Sequence, residues 1–575
     1  MLFLDTECYP NYWLCAFDDG TYFEYPFDCN ALAAKLRSDD VCTFNGLAYD
    51  FPMIEAALRG ASPMQLKQLN DRMIVEGEKV WHRLDWIRHV DLFNVLPGTG
   101  SLKAYGAKNH TKKLQDLPYD AGTVLTPAQK IEVRNYCLND IKVLKELYFK
   151  FESQIQLRRD MSEEFSIDLM SKSDPQMAEA VVRSKFRFDM FDQCTIIYYT
   201  APIWVSNPAI RACFEGMYEY GGEKPSKTID LHGKTYTCGV GGLHSNEGRR
   251  EVKGRGIFDV DVASYYPSLL LNFDTKPPRI KGAFLELYRQ WYFERLAAKN
   301  KGDKKKADSL KTLLNGVFGK LGSSYSIFYY PKGFLDITLG GQCALLTLID
   351  MLGQVRIEVI SANTDGITVD TERELDMRRI VKEWELLTNL TMEFTEYRHL
   401  LNRDVNSYIA IGVDSKAKQK GVFALAEPGP SSWPNPTGQI VSTALVNFLR
   451  DNIPIEQTIR CCTDIREFLY VRAVKGGGSF VPGPNMPKNI SKKKMIIPKF
   501  YLEVRDWHLS QKQYLGKTVR WYYSKDSNRS GTIRTPSDGL VAGSEGCRPL
   551  MDLPNSLPDD IDYQAYIDIA KGFLV

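Results

Sequence analysis

Two apolar runs in this chain carry acids at alternate positions, and that pattern constrains its fold more than any other feature. In Leu2-Phe3-Leu4-Asp5-Thr6-Glu7 and in Gly256-Ile257-Phe258-Asp259-Val260-Asp261-Val262-Ala263 the hydrophobic content predicts buried strands. Successive same-face positions of a strand are two residues apart, so Asp5 pairs with Glu7 and Asp259 with Asp261. Carboxylates side by side on an apolar strand are costly unless a cation neutralises them. Each run therefore predicts a cation-binding face, the plainer reading of Asp5 and Glu7 being a pair of surface acids.

With 575 residues, 44% of them hydrophobic, the chain is expected to build roughly three to five globular domains. Its formal charge of +2 provides no global basic field, so any contact with a polyanion must be made by local groups. Lysines cluster at Lys299, Lys301 and Lys304 to Lys306, and again at Lys492 to Lys494. The 12 cysteines include no C-x-x-C pair, which argues against a zinc module or disulfide framework and for free thiols in a reducing cytoplasm. No basic leader and no run of about 18 apolar residues is seen, so neither secretion nor membrane insertion is expected.

The first module adds two elements. Residues Thr43 to Asp50 run from a short strand through Gly46 into an apolar helix near Pro52, with Asp50 at the helix start as either cap or ligand. Thr126-Pro127-Ala128-Gln129 has the form of a capping box with proline at the first helical position, which predicts a helix over 127–150. Tyr136 and Asp140 then share a face. In this order the residues resemble the Asp-x-Glu, Asn-x(n)-Tyr-Asp and Tyr-x-x-x-Asp motifs of the proofreading exonuclease domain of family B DNA polymerases. The resemblance implies an RNase H-like fold in which Asp5, Glu7, Asp50 and Asp140 hold two metal ions, Tyr136 helps place the attacking water and Asn45 contacts the primer end. Asp91 is read as structural or supporting, and Lys103, Lys112 and Lys113 as contacts to a single strand.

In the second module the acid pair continues into Ser264-Tyr265-Tyr266-Pro267-Ser268, and Asp-x-x-Ser-x-Tyr-Pro-Ser resembles the first palm motif of the same family. That likeness makes Asp261 and the Val262 backbone metal ligands and Tyr266, beside Tyr265, the ring under the incoming sugar. Residues Glu358 to Val369 read as two β-rich runs joined at a turn with Asp365 at its tip. The turn resembles the third palm motif, commonly Asp-Thr-Asp-Ser, with Asn363 in place of the first acid and Gly366 in place of serine. Asp365 is then the second metal ligand.

Between these motifs Lys311, Asn315 and Phe318 share a helical face and resemble Lys-x-x-x-Asn-Ser-x-Tyr-Gly. The likeness gives Lys311 and Asn315 to the nucleotide and Phe318 to the nascent base pair. A preceding helix from Tyr288 to Lys299 is broken at Asn300 to Asp303, and its Arg295 and Lys299 are expected to meet the triphosphate, or else to be an exposed basic pair. Gly241 and Gly242 resemble the Tyr-x-Gly-Gly template segment, and Asn406-Ser407-Tyr408 falls where the family has Lys-x-Tyr, so Tyr408 is carried over as a DNA contact. Lys416, Lys418 and Lys420 are expected as generic phosphate contacts, as are Lys517, Arg520 and Tyr522 in the last segment.

The implied fold class is α+β multidomain, an RNase H-like exonuclease domain plus a right-hand polymerase with palm, fingers and thumb. The expected boundaries are 1–155 for the exonuclease, 156–235 for a connecting helical region, 236–288 and 321–425 for the palm, 289–320 for the fingers and 426–575 for the thumb. The implied activity is template-directed, primer-dependent DNA synthesis from dNTPs with 3′–5′ proofreading, using two Mg²⁺ or Mn²⁺ ions at each active site. The implied partners are primer-template and single-stranded DNA, with a replicative helicase, a single-strand-binding protein or a processivity factor as further candidates. The compact length resembles a bacteriophage replicative enzyme, monomeric in the cytoplasm of an infected bacterium. The rival is a nuclease or nonsynthetic DNA-binding factor whose synthesis site has decayed at Asn363.

Overall fold

In a computed structural model of the protein, the run Leu2–Tyr9 is the central strand, β1, of a five-stranded sheet ordered β3-β2-β1-β4-β5. Strands β2 (Tyr12–Phe17) and β3 (Tyr22–Glu24) extend it antiparallel, while β4 (Val41–Thr43) and β5 (His89–Asp91) continue it in parallel. Trp13, Cys15, Phe17, Leu36, Phe51 and Ile54 fill the core beside it. The helix Pro127–Lys150 lies against β1, and Thr126 and Gln129 form the expected capping box. All residues are described except 81–83, 223–225, 240, 426, 428–432, 436, 484–510 and 575; the Lys492 to Lys494 run lies outside the described residues.

The stretch 156–235, expected as connecting helix, is helical at Glu152–Phe165, Asp174–Lys185 and Pro208–Phe214. It also contains a ribbon of β6 (Ile196–Tyr199) with β7 (Gly216–Glu219), and the hairpin strand β8 (Lys227–Leu231). Among the described residues, strand β8 pairs only with the strand that follows it, Leu231 opposite Lys234, and so forms one edge of the second sheet.

That second sheet has nine strands in the order β16-β15-β14-β11-β13-β12-β10-β9-β8. Its further members are β9 (Lys234–Cys238), β10 (His244–Ser245), β11 (Arg250–Val262), β12 (Glu358–Asn363), β13 (Gly366–Asp370), β14 (Met392–Asp404), β15 (Ser407–Gly412) and β16 (Ala417–Gln419). Strand β11, the second acid-bearing run, sits near the middle between β14 and β13, both antiparallel to it. A register shift between Lys253 and Ile257 bends it at Gly256, whose φ of +93° and 2.2 Å gap from a built Cβ to the Thr371 carbonyl oxygen leave room only for glycine.

Two helices, Phe284–Lys301 and Lys304–Lys320, form the expected hairpin, turned by a left-handed Gly302 and capped by Asp303, which accepts the Lys306 N–H at 3.1 Å. The helix Pro331–Gln354 has the length and hydropathy of a membrane span, yet 89% of its most apolar window is buried inside the protein. It is the core helix of its unit.

Strands β17 (Tyr470–Pro482), β18 (Gln513–Tyr523), β19 (Gly531–Arg534) and β20 (Cys547–Pro549) close a small barrel around Val519, Trp521 and Ile533. Arg520 and Tyr522 are not the phosphate contacts their types suggested. Arg520 is fully buried and donates to the carbonyls of Thr111, Lys112, Leu550 and Met551, and the Tyr522 hydroxyl donates to Asp560 at 2.8 Å. A buried guanidinium needs such acceptors, and here they bind the barrel to the segment after the helix Leu102–Lys108.

The chain is thus a mixed α/β protein of two compact units. The first comprises Met1–Arg158, Leu425–Ala444 and Pro454–Ala570; the second comprises Arg159–Ala424, Leu445–Ile453 and Lys571–Val575. Most of the 426–575 stretch therefore packs with the first module of the sequence.

Candidate active sites

In the first unit, β1 presents Asp5 and Glu7 on one face as its period requires. Asp50 is the first residue of the helix Asp50–Leu58, 2% exposed, and accepts the Thr6 hydroxyl at 2.6 Å. The loop delivering it passes through Asn45 at φ 66°, and Asp91 fixes that loop by accepting the backbone N–H groups of Asn45 (2.7 Å) and Leu47 (3.2 Å). Asp91 thus holds the loop that carries Asp50, within the structural or supporting role expected of it.

Tyr136 and Asp140 stand one turn apart on the Pro127–Lys150 helix, both buried. Lys103, expected as a strand contact, instead bonds the Asp140 carboxylate and the Tyr136 hydroxyl, with its ammonium 4.1 Å from the Tyr136 ring centre. The ligand atoms of Asp5, Glu7 and Cys137 lie within 4.8 Å of one another.

Burial raises Asp5 and Glu7 well above the ordinary carboxylate value, and repulsion from Asp50 and Asp140 adds to it. Burial likewise raises Asp140, and lifts Asp50 to about 7 against the Thr6 hydrogen bond. Among the described residues, Lys103 bonds Asp140 and offsets Asp5 and Glu7, and Asp50 lies beyond that help, so the four carboxylates keep an excess of negative charge that suits divalent cations held by oxygen ligands.

In the second unit, Asp261 and Val262 end β11 beside the β12–β13 hairpin. Asp261 lies in register with Gly366, and the Val262 N–H donates to the Asp365 carbonyl at 2.8 Å. Thr364 and Asp365 form the tip, with Thr364 left-handed at φ 52°. The Asp261 carboxylate reaches so far over the hairpin that a Cβ built on Gly366 would meet its Oδ1 at 1.9 Å. Glycine at 366 makes that approach possible.

The cation that neutralises Asp259 is a lysine. Buried Asp259 accepts from Lys418 at 2.6 Å, Tyr397 at 2.8 Å and Thr368 at 3.2 Å. The Lys418 ammonium is also 3.9 Å from an Asp261 oxygen and 5.9 Å from the Tyr408 ring centre, so it is committed to this site rather than free for a distant phosphate. Burial alone would lower the Lys418 ammonium, but Asp259 raises it. Asp261 is pushed up to about 7 by burial and by Asp259, and Asp365 is raised chiefly by burial. Lys418, with Lys420 acting on Asp261 and Asp365 from farther off, is committed chiefly to Asp259, which leaves Asp261 and Asp365 to suit a divalent ion.

Around these acids, Tyr266 stacks on Phe318 at 3.9 Å and 10°, and Phe318 continues the stack onto Phe334 at 5.8 Å. Tyr265 is buried against Gly341 of the core helix. Lys311 and Asn315 are exposed on the helix that carries Phe318. Arg295 donates to the Ser264 hydroxyl at 2.5 Å, and Lys299 pairs with Glu393 at 2.7 Å. Gly241 and Gly242 lie in the turn before β10; the Gln342 side chain holds Gly239 of that turn at 2.6 and 3.1 Å, and the Thr364 N–H donates to the Leu243 carbonyl at 2.8 Å. Tyr408 is half-buried on β15, whereas Lys517 is exposed on β18 of the first unit.

No protein-family model matches the chain, and no curated protein matches it. A solved structural neighbour is a family B DNA polymerase. It comes from the hyperthermophilic archaeon Pyrobaculum calidifontis, with 14% identity and a TM-score of 0.40 over 100% of this chain and 77% of that one. Likeness at that level decides nothing about activity, which has to be argued from the two sites.

Thr6, Cys137, Lys103 and Lys418 are parts of these sites that sequence patterns did not assign to them. A threonine, a cysteine and two lysines carry no spacing signal that ties them to acids 44, 132, 37 and 159 residues away.

Proposed function

We propose that the chain is a primer-dependent, template-directed DNA polymerase of the family B type with 3′–5′ proofreading, its nuclease module RNase H-like and its synthesis site on a palm. The observation that carries this reading is the register of Asp261 beside Asp365, on a strand whose continuation has the Asp-x-x-Ser-x-Tyr-Pro-Ser pattern. The first sheet's order β3-β2-β1-β4-β5, with Asp5 and Glu7 on its central strand, supports the nuclease half.

Asp261, Asp365 and the Val262 backbone would hold Mg²⁺ or Mn²⁺ at one site, and Asp5, Glu7, Asp50 and Asp140 at the other. When bound, two ions at each site supply Lewis-acid stabilisation of the attacking and leaving oxygens. The chain's own groups do the rest. Lys311 and Arg295, on adjoining helices, bring positive charge toward a triphosphate, and the Tyr266–Phe318 stack offers a flat apolar wall to the sugar and base. Asn315 lies on the same helix for the nucleotide, and Gly241, Gly242, Tyr408, Phe318 and Lys517 are assigned to DNA. In the nuclease, Lys103 balances Asp140 and turns the Tyr136 hydroxyl toward the acids, while Asn45 meets the primer end. Work as a monomeric phage replicase, beside a helicase, single-strand-binding protein or processivity factor, belongs to the same proposal.

The test is a labelled primer on a DNA template with Mg²⁺, with and without dNTPs, beside Asp365→Ala. Growth with dNTPs, shortening without them, and growth lost only in the variant are expected. Shortening under every condition would leave a nuclease alone.

A further inference from the structure

The hairpin tip that carries Asp365 is held by the side chain before it. Asn363 uses both of its donors and its oxygen: Nδ2 donates to the Val405 carbonyl at 3.1 Å and to the Asn406 side-chain oxygen at 3.2 Å, while Oδ1 accepts the Thr364 hydroxyl at 3.0 Å. The last of these bonds braces a β-branched residue at φ 52°, a conformation such residues avoid unless held. The other two reach the turn between β14 and β15, two or three residues before Tyr408.

A carboxylate at 363 could do none of the donating. It would face the Val405 carbonyl with negative charge and crowd a third acid against Asp261 and Asp365, both already pushed upward by burial. Positions 363 and 406 are also where the chain departs from the acid and the base of the motifs it resembles, and the two departures touch each other.

We propose that Asn363 is a positioning residue, whose amide locks the turn leading to Tyr408 onto the hairpin that carries Asp365, so that the primer end and the synthesis acids keep one fixed separation. The amide at 363 is therefore a working cross-link within this site and no sign of its decay. This rests on the synthesis reading above and names a further residue of that site.

The experiment is a double-mutant cycle of Asn363→Asp, Asn406→Lys and the two combined, the pair restoring donor and acceptor as an ion pair. Three readouts are taken: urea unfolding, primer-template binding in EDTA by fluorescence anisotropy, and steady-state extension. Asn363→Asp is expected to lose about tenfold in kcat/KM, mostly through KM for primer-template, and to weaken binding in EDTA by a similar factor. The combined variant should recover to within about threefold of wild type in both. Additive losses in the combined variant would overturn the proposal. So would coupling seen in unfolding while Asn363→Asp binds and extends as wild type does, since the link would then be structural only. A wild type that neither extends nor binds primer-template would instead sink the synthesis reading, and the unfolding cycle would still report whether the two side chains are linked.

Discussion

The two acid clusters start from the same sequence device, paired carboxylates on an apolar strand, and settle their charge differently. In the first unit Asp5, Glu7, Asp50 and Asp140 come from β1 and two helices, keep an excess of negative charge over Lys103, and are raised by burial and mutual repulsion. In the second, Asp259 is discharged by Lys418, and Asp261 and Asp365 remain at a half-open edge beside a hairpin tip. Depth of burial thus separates a site that is costly without cations from one that carries part of its own counter-charge.

The largest test of that contrast removes one acid from each cluster. Asp261→Ala should cut primer extension by roughly a thousandfold and leave shortening of the primer intact, and Asp5→Ala should do the reverse, as gel assays with and without dNTPs will report. Loss of both activities from either change would mean that the two clusters are not separate sites.

The next effect concerns Lys418, whose removal strands a buried carboxylate. Lys418→Met should destabilise the protein by roughly 2 kcal/mol in urea unfolding, less than a fully buried pair would lose because the lysine is partly solvated. Adding Asp259→Asn should recover most of that loss, since Tyr397 and Thr368 can still serve the amide. A first-unit counterpart, Lys103→Met, lacks such a repair, because Lys103 offsets Asp5 and Glu7 as well as the Asp140 it bonds, so neutralising Asp140 alone leaves the other two without it.

What the sequence disclosed follows the same division. Period-two alternation revealed the faces of β1 and β11, the capping box revealed the helix bearing Tyr136 and Asp140, and the run around Asp365 revealed its hairpin. Those signals are local. The partners that set each charge, Lys103 and Lys418, and the burial of Arg520, depend on chain brought in from far away. A lone basic residue looks the same in sequence whether it meets a phosphate, an acid or a row of carbonyls. The strands of 196–238 are hidden differently: Ile196-Ile197-Tyr198-Tyr199 is itself β-forming but set among prolines that read as connecting chain, and the short hairpin strands Lys227–Leu231 and Lys234–Cys238 are too polar to signal a sheet alone.

Proton linkage compares the sites without any substitution. Burial lifts Asp50 and Asp261 from 3.8 to about 7, so between those values the folded chain binds protons that the unfolded chain has released. Stability of the metal-free protein should therefore fall as pH rises from about 4 to 7, the opposite of a salt-bridged acid. Mn²⁺ binding, followed by titration calorimetry, should tighten over the same window, by up to about tenfold per pH unit below 7. Variants Asp50→Asn and Asp261→Asn should each remove part of this slope. If only the first does, the half-open second site is better solvated than the buried one.

The smallest change sharpens the comparison within the first unit. Thr6 points from β1 toward Asp50, and its hydroxyl bond at 2.6 Å is a direct counterweight to the burial that raises this acid. Thr6→Val keeps the shape and removes the donor, which should cost about 1 kcal/mol of stability where Asp50 is ionised. Without that bond Asp50 should take up its proton at a higher pH, so the acid limb of the shortening reaction should move upward while extension keeps its profile. An unchanged shortening profile would mean that Asp50 is protonated or freed from its ligand role across the working range, leaving Asp5, Glu7 and Asp140 to set the pH dependence.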